Sequence, residues 1–298
     1  MDWLRKHMAQ VAESKFRSEV KPDWCASCGD FAVLSSLIKA LATLGKEPRD
    51  VAVVSGIGCS SNLPNFIKTF GFHSLHGRAI PVATGVKLGN PNLNVVVTGG
   101  DGDGYGIGVG HFIHAMRRNI DLTYIVMDNQ IYGLTTGQVS PTSMKGHKTK
   151  TTPKGNLEEP INPIALALAG GATFIARAFS GDPNSMTQTI ADAIKHKGFS
   201  LVDVFSPCVT FNKLNTYDYF RSKVYKLQEK SHDVQDFHAA MDRAFEGGDK
   251  IPLGTFWDVE KPVLDEAKRM PGFPVPSDWQ GDFGIPEKEL QEILAEFL

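Results

Sequence analysis

The sequence predicts an α/β fold built around a mostly parallel β-sheet with helices on both faces. Short, almost continuously apolar runs such as VAVVSG and NVVVTGG alternate with helix-length stretches of helical periodicity. Strands that are covered on both faces give such continuous apolar runs, and this is the pattern of a parallel sheet. The alternation ends at Cys208, after which we expect a helical or irregular extension. We therefore divide the chain into 1–210 and 211–298.

Composition excludes several classes of protein. The 298 residues include 31 Lys and Arg against 33 Asp and Glu, and the net charge of −2 gives no electrostatic footprint for nucleic acid or a membrane surface. No apolar run is long enough to span a membrane, and the N-terminus lacks a signal peptide's apolar core, so we expect a cytoplasmic protein. Four cysteines are too few for a disulfide scaffold of this size.

The first elements are predicted from capping residues and glycines. Residues 1–21 form a polar, partly helical arm, and the loop PDWCASCGD that follows contains a C-x-x-C pair. Asp30 is placed to cap the helix FAVLSSLIKALATLG, which ends at Gly45. The strand VAVVSG and the loop GIGCSS come next. A helix of small residues follows near 79–89, and Pro91 stops it.

A strand–turn–helix–strand unit occupies roughly 94–127. The strand NVVVTGG runs into the turn GDGDG, and after a helix the strand LTYIVM leads to an Asp-Asn pair. Between Gly102 and Asn129 lie 26 residues, 103 to 128. A parallel crossover of that length brings the two strand ends side by side. Asp101 and Asn129 could then bind one hard cation, and the cation could hold a diphosphate.

The alternation continues after a long loop. The stretch 132–160 is polar and rich in Thr and Gly, and it is long enough to be a lid over a ligand or an interface loop. Helix NPIALALAGG, strand TFIARA, helix NSMTQTIADAIKHKG and strand SLVDVF follow. Two amphipathic helical stretches, about 217–230 and 233–246, and a terminal helix, EKELQEILAEFL, are predicted in the extension.

Ligands of such sheets bind beyond the carboxyl ends of the strands. The glycines after NVVVT never satisfy G-x-G-x-x-G, and no phosphate-binding G-x-x-x-x-G-K-[ST] loop occurs. What remains is the GDG turn with its downstream Asn, whose carboxylate and amide oxygens are ligands that Mg²⁺ takes alongside phosphate oxygens. The glycines would let the backbone approach a diphosphate at a helix N-terminus. The alternative for GDG alone is an acidic surface turn.

The four cysteines form a second candidate site. Cys25 and Cys28 can reach one metal centre together, while Cys59 and Cys208 lie on predicted loops at the same edge of the sheet. An iron–sulfur cluster and a structural zinc ion are both compatible with four thiolates.

The motif GDG-x26-N resembles the thiamine-diphosphate binding motif. The segments SGIGCSSNLPNF, HSLHGRAIPVATGVKL, GGDGDGYGIGVGH and DNQIYGLTTGQVSPTS closely resemble the β subunits of 2-oxoacid:ferredoxin oxidoreductases, especially the 2-oxoglutarate type. The resemblance extends from about Trp24 to Cys208. It implies the diphosphate-binding domain of the thiamine-diphosphate-binding fold for 1–210, with 211–298 packing on that domain and on a partner subunit.

The resemblance also implies roles for individual residues. Asp101, Asn129 and the main-chain carbonyl of Ile131 would hold Mg²⁺. The thiamine diphosphate would be lined by Ile57, Gly58, Cys59, Ser60, His76, Gly102, Asp103, Gly133 and Leu134. A [4Fe–4S] cluster would be ligated by Cys25, Cys28, Cys59 and Cys208. Zinc cannot carry electrons, so a redox cofactor nearby favours the cluster. His76 taken alone would more often be a structural histidine.

The implied reaction is the coenzyme A-dependent oxidative decarboxylation of 2-oxoglutarate to succinyl-CoA and CO₂, with electrons passing to ferredoxin, or the reverse. No catalytic residue is assigned, because the activating glutamate is expected on an α subunit in an αβ or (αβ)₂ complex. Asn62, Leu134 and Thr136 are the substrate-side candidates, and the apolar Leu134 argues against a pyruvate-specific site. The alternatives are pyruvate or another 2-oxoacid as substrate, a non-redox thiamine-dependent subunit with structural zinc, and an assembly subunit without catalysis.

Overall fold

The centre of the fold is an eight-stranded sheet. The computed structural model describes residues 11–264 and 287–295. In the sheet the strands lie in the order β2-β1-β3-β4-β6-β5-β8-β7, and every neighbouring pair is parallel except β5 and β8. The strands are β1 (Val51–Ser55), β2 (Phe70–His73), β3 (Asn94–Gly100), β4 (Leu122–Asp128), β5 (Phe174–Phe179), β6 (Phe199–Phe205), β7 (Val224–Lys226) and β8 (Ile251–Asp258).

Helices cover both faces of this sheet, as the sequence predicts. They are α1 (Asp30–Thr43), α2 (Ala79–Gly89), α3 (Val109–Arg118), α4 (Pro163–Gly170), α5 (Pro183–Lys195), α6 (Tyr217–Arg221), α7 (Phe237–Ala244) and α8 (Glu287–Ala295). Neighbouring strand residues point to opposite faces, so Val96 joins the core under α1 and α5 while Val97 joins the core under α2, α3 and α4. The predicted fold class is confirmed. No helix in the described part of the chain is both long enough and apolar enough to cross a bilayer.

The predicted cap of α1 is wrong. Asp30 is the first residue of the helix, Gly29 takes the cap position, and no side chain caps the first turn. The Asp30 carboxylate is buried and accepts a hydrogen bond from Ser206 Oγ at 2.7 Å, which ties α1 to the segment after β6. Burial raises the pKa of Asp30 to about 6. A tertiary partner has therefore replaced the local capping bond.

The extension differs from its prediction. The stretch predicted as one helix over 217–230 ends its helix at Arg221 and continues into β7 and a short 3-10 turn. The strand β8 was not predicted, because its sequence IPLGTFWD contains a Pro and a Gly that usually break strands. Gly254 has a φ of +111° and pairs with Arg177, close to a register shift between β5 and β8. The extension thus continues the same sheet.

Two predictions at the chain ends are only partly tested. Of the N-terminal arm, residues 1–10 lie outside the described part, and Glu13–Phe16 form a single 3-10 turn with Phe16 buried. The terminal helix is present as α8, and its last predicted residues, 296–298, are not described.

Candidate active site

A cleft of about 280 Å³ opens at the carboxyl ends of β1, β3 and β4. The loops that follow these strands form its walls, as expected for ligand sites of parallel sheets. Its lining includes all twelve residues that the sequence assigns to thiamine diphosphate and Mg²⁺, which are Ile57, Gly58, Cys59, Ser60, His76, Asp101, Gly102, Asp103, Asn129, Ile131, Gly133 and Leu134. Residues from four separate loops are thereby brought together.

Two glycines shape the walls of the cleft for different reasons. Gly58 has a φ of +122°, a conformation that side chains rarely adopt, and the space in front of its α-carbon is open. A β-carbon at Gly102 would lie 2.1 Å from Cε1 of Tyr132, whose hydroxyl donates to the Gly102 carbonyl at 3.2 Å. The first glycine after Asp101 is therefore required by the neighbouring tyrosine, a contact that no sequence pattern indicated.

Asp103 binds two loops to the floor of the cleft. Its Oδ1 accepts hydrogen bonds from the backbone N–H groups of Ile57 at 2.9 Å and Gly77 at 2.7 Å. The same oxygen lies 3.0 Å from Nδ1 of His76. Asp103 is almost fully buried, and its Oδ2 has no hydrogen-bond partner among the described atoms. Because Nδ1 of His76 is engaged, Nε2 is the ring nitrogen left for a ligand.

Asp101 and Asn129 lie on neighbouring turns in the same lining. Asp101 is buried, and burial raises its pKa to about 6. Asn129 Oδ1 accepts a hydrogen bond from the Ile131 N–H at 3.1 Å, and the chain turns through Gln130, which has a φ of +57°. A carboxylate, an amide oxygen and a carbonyl are hard oxygen ligands, and this donor set fits Mg²⁺. A bound cation would favour the ionised form of Asp101.

Thr142 joins Asp101 to a second buried carboxyl group. Its Oγ1 donates to Asp101 Oδ2 at 2.6 Å and lies 2.8 Å from Oδ1 of Asp128. The pKa of Asp128 is raised well above its usual range, first by burial and then by Asp101 and Asp203. Because a hydroxyl has one hydrogen, both short contacts are satisfied when Asp128 is protonated and donates to Thr142. Nothing in the sequence pattern pointed to Thr142, whose partner is 41 positions away.

Cys59 lines this cleft, and the other three cysteines are close enough to influence its electrostatics or that of its neighbours. A β-carbon built on Gly133 would be 3.5 Å from the Cys208 thiol and 3.9 Å from the Cys59 thiol. The indole N–H of Trp24 donates to the Cys59 carbonyl at 2.7 Å and ties the C-x-x-C loop to that residue. Burial raises the pKa of Cys59 to about 11, with contributions from Asp30 and from Cys208 and Cys25. Burial and Asp30 also raise the pKa of Cys28, with smaller contributions from Cys208 and Cys59.

A cysteine binds a metal only as a thiolate, and burial disfavours the thiolate of these side chains. They therefore fit a site whose metal ions supply the compensating positive charge. Within the described ranges no three His, Cys, Asp or Glu side chains converge on the position of a single ion. Of the three predicted Mg²⁺ ligands, Asp101, Asn129 and the Ile131 carbonyl, only Asp101 is a side chain of one of these four types. In a four-iron cluster each iron takes a different thiolate, so four separated thiols are compatible with a cluster.

The structure separates the three substrate-side candidates. Leu134 lines the cleft and is about half exposed, at 56%. Asn62 belongs to the 3-10 helix Cys59–Asn65, and Thr136 lies in a turn with a φ of +75°. Neither of these two is part of the cleft lining, whereas Thr135 is. A role for Asn62 and Thr136 in substrate binding stays a prediction.

The stretch 132–160 has the irregular structure that the sequence predicts, and part of it is buried against the site. Ser143 Oγ donates to the Gln130 carbonyl at 2.6 Å, and the Ser140 N–H donates to Ser143 Oγ at 2.8 Å. Asn156 Nδ2 donates to the Ser143 carbonyl at 3.2 Å. The segment Ser140–Ser143 is therefore fixed behind the turn that carries Asn129.

Comparisons with known proteins agree with this geometry. Residues 56–204 match the family described as the thiamine pyrophosphate enzyme, C-terminal TPP binding domain. Residues 208–270 match the family described as the C-terminal part of the pyruvate ferredoxin oxidoreductase beta chain. The boundary between the two matches falls just before Cys208.

Individual relatives cover most of the chain. It is 44% identical over 281 residues to 2-oxoacid:ferredoxin oxidoreductase 1, subunit beta, of Aeropyrum pernix, covering 90% of this chain and 88% of that protein. It is 46% identical over 203 residues to the 2-oxoglutarate synthase subunit KorB of Archaeoglobus fulgidus, covering 68% and 76%.

A solved structure is similar over almost the whole chain. It is 2-oxoglutarate:ferredoxin oxidoreductase from Magnetococcus marinus with 2-oxoglutarate, coenzyme A and succinyl-CoA bound. The TM-score is 0.85 and the identity 42%, with 96% of this chain and 97% of that chain covered. The protein thus carries a thiamine-diphosphate-binding domain, and as a β subunit it functions with an α subunit. The chain is an oxidoreductase subunit that belongs to the β subunits of the 2-oxoacid:ferredoxin oxidoreductases.

Proposed function

We propose that this β subunit, together with an α subunit, catalyses the coenzyme A-dependent oxidative decarboxylation of 2-oxoglutarate to succinyl-CoA and CO₂, or the reverse reaction. Electrons pass through a [4Fe–4S] cluster on Cys25, Cys28, Cys59 and Cys208 to ferredoxin. The observation that carries the proposal is the position of Gly133. One face of the cleft presents the oxygen ligands Asp101 and Asn129, and Gly133 adjoins both Asn129 and two thiols.

Each group of residues has a distinct task. Asp101, Asn129 and the Ile131 carbonyl would hold Mg²⁺, and Nε2 of His76, the ring nitrogen not bonded to Asp103, would be available to the diphosphate. Asp103 keeps the loops of Ile57 and His76 in place through its three hydrogen bonds. Thiamine diphosphate, when bound, supplies the nucleophilic carbon and the electron sink for decarboxylation. An iron–sulfur cluster held by the nearby cysteines would accept the electrons.

Several observations favour 2-oxoglutarate as the substrate. Relatives are named for 2-oxoglutarate, and the similar solved structure holds it, although the second family match is named for pyruvate. Among the residues that the structure describes, the cleft lining contains neither Lys nor Arg. A cation for the distal carboxylate of 2-oxoglutarate would then come from the α subunit. Leu134 gives this side of the pocket an apolar wall, and pyruvate or another 2-oxoacid is the alternative substrate.

The α subunit is proposed to dock on an apolar surface beside the cleft. Phe70, Phe72, Leu75 and Ile107 are between 53% and 73% exposed. Leu75 precedes His76 in the chain, and Ile107 touches Gly77, so this surface continues directly into the cleft. The strand β2 is also an edge strand of the sheet. An exposed apolar patch of this kind marks a protein interface.

The substrate assignment is tested by viologen reduction with the anaerobically purified αβ complex. We compare kcat/KM for 2-oxoglutarate, pyruvate and a branched-chain 2-oxoacid, and expect the highest value with 2-oxoglutarate. A higher value with pyruvate would overturn the substrate assignment. Asp101→Ala is expected to abolish activity with every substrate, and retained activity would contradict the proposed Mg²⁺ ligand.

The alternative with structural zinc is tested by metal analysis of the same complex. We expect iron and acid-labile sulfide in equal amounts and the broad visible absorption of an iron–sulfur cluster. A colourless complex with one zinc ion in place of the β-subunit cluster would favour a non-redox thiamine-dependent subunit. Assignment of the cluster to this chain requires that Cys208→Ser lowers the iron content.

A further inference from the structure

The turn Ser140-Pro141-Thr142-Ser143 contacts both halves of the proposed Mg²⁺ site. Thr142 reaches the carboxylate that follows β3, and Ser143 reaches the turn that follows β4. The distances, 2.6 Å to Asp101 Oδ2 and 2.6 Å to the Gln130 carbonyl, are those of short, well-formed hydrogen bonds. The turn lies in the loop 132–160, to which neither the proposed reaction nor the family comparison assigns a task.

The environment of the turn fixes its hydroxyl groups. Ser140, Thr142 and Ser143 are all buried. The N–H of Ser140 donates to Ser143 Oγ, and Asn156 Nδ2 donates to the Ser143 carbonyl. The N–H of Ile161 donates to the Pro141 carbonyl at 2.8 Å, which anchors the turn at its outer side. Its hydroxyl groups are therefore held in one orientation.

The hydrogen bond from Thr142 restrains the Asp101 carboxylate. Oδ2 accepts from the Thr142 hydroxyl, and the Ser140 hydroxyl of the same turn also stabilises the charged carboxylate. A carboxylate free to rotate would present either oxygen, and ordering it upon metal binding would cost free energy. Residues that orient metal ligands in this way typically contribute about 10–100-fold to metal affinity.

We propose that Ser140–Ser143 is a positioning element for the Mg²⁺ that anchors thiamine diphosphate. Thr142 fixes the Asp101 carboxylate, and Ser143 fixes the turn that presents Asn129 and the Ile131 carbonyl. The inference rests on the proposed function, because it assumes that Asp101 is a ligand of Mg²⁺.

The test uses the αβ complex depleted of thiamine diphosphate and divalent cations. Calorimetric titration with thiamine diphosphate at increasing Mg²⁺ gives the Mg²⁺ concentration for half-maximal binding. Thr142→Val removes the hydroxyl and keeps the shape, and we expect it to raise this concentration about 10–100-fold. Thr142→Ser keeps the hydroxyl and should stay within about threefold of the wild type, since hydrogen bonding alone decides the effect.

Controls separate positioning from general stability. Thr149→Val removes a hydroxyl of the same loop that bonds only within the loop, and its Mg²⁺ requirement should equal that of the wild type. Ser143→Ala, which loses the hydrogen bond to the Gln130 carbonyl, should also weaken Mg²⁺ binding. It replaces Thr142→Val as the test variant if Thr142→Val does not fold. A wild-type Mg²⁺ requirement in Thr142→Val, or in Ser143→Ala if that variant replaces it, overturns the inference.

One further variant distinguishes this inference from the proposed function. Asp101→Asn should raise the Mg²⁺ requirement at least as much as Thr142→Val. If Asp101→Asn has no effect, the proposed metal site is wrong. If Asp101→Asn raises the requirement and Thr142→Val does not, the metal site is supported and only the positioning role of Thr142 is overturned.

Discussion

Replacing Asp103 with Ala should destabilise the protein and weaken cofactor binding together. The carboxylate is almost fully buried, and one oxygen accepts hydrogen bonds from two backbone N–H groups, those of Ile57 and Gly77. The same oxygen holds His76 by its Nδ1. The substitution leaves these donors without an acceptor and releases both loops that carry cofactor-binding residues.

The size of the effect follows from the two backbone amides. A buried donor left without a partner costs about 1–3 kcal/mol, so the two together cost about 2–6 kcal/mol. For a chain of 298 residues, with an unfolding entropy of about 0.6 kcal/mol per kelvin, about 2 kcal/mol corresponds to a fall of about 3 °C in melting temperature. Asp103→Asn keeps an acceptor oxygen, and its amide nitrogen replaces an Oδ2 that is already without a partner. We expect Asp103→Asn to lose less than half as much stability as Asp103→Ala.

The measurement is the melting temperature of the αβ complex without thiamine diphosphate, followed by calorimetric titration with the cofactor. Asp218→Ala is the matched control, because that side chain is 93% exposed and, within the described part of the chain, pairs only with Arg221 on the same helix. It should leave both quantities unchanged. A melting temperature of Asp103→Ala within about 1 °C of the wild type, or equal losses in the Ala and Asn variants, would refute the reasoning.

Three further predictions concern the proposed cluster ligand Cys208, the close approach at Gly102 and the apolar surface that includes Phe72. Cys208→Ser should lower the iron content and the visible absorption of the αβ complex while thiamine diphosphate still binds; an unchanged iron content would exclude Cys208 as a ligand. Gly102→Ala should raise the Kd for thiamine diphosphate at least tenfold in calorimetry, because its β-carbon would lie 2.1 Å from Tyr132, and wild-type affinity would contradict the close approach. Phe72→Glu should prevent co-purification of the α subunit, whereas Phe245→Glu, at a similarly exposed side chain on the extension, should not; assembly of the Phe72→Glu complex would place the partner elsewhere.

The sequence predicted those parts of the site that depend on local spacing. A strand, a glycine turn, a helix and a second strand give a parallel crossover, so the neighbouring positions of Asp101 and Asn129 followed from the 26 residues between Gly102 and Asn129. The helices α2, α4 and α5 followed in the same way from periodicity and from their flanking proline or glycine residues. In each case the information lies within one stretch of chain.

The unpredicted features depend on contacts between distant segments. Asp103 bonds to Ile57 and Gly77, which are 46 and 26 positions away, and Thr142 bonds to Asp101 across 41 positions. No periodic pattern records such pairs, and a threonine in a polar loop is usually exposed. The wrong cap at Asp30 has the same origin, because Ser206 is 176 positions away.

The order of strands explains why the proposed cluster cysteines can lie next to the proposed Mg²⁺ site. Four successive strands of the sheet, β1, β3, β4 and β6, are followed by Cys59, Asp101, Asn129 and Cys208, respectively. The two proposed oxygen ligands therefore come from the central strands and two of the thiols from the flanking strands. The flanking strands are about 15 Å apart, three strand spacings. Their loops nevertheless bring both thiols to Gly133. The thiols thus lie over the central strands, beside Asn129, so the proposed cluster would lie in the same cleft as a cofactor held by Asp101 and Asn129.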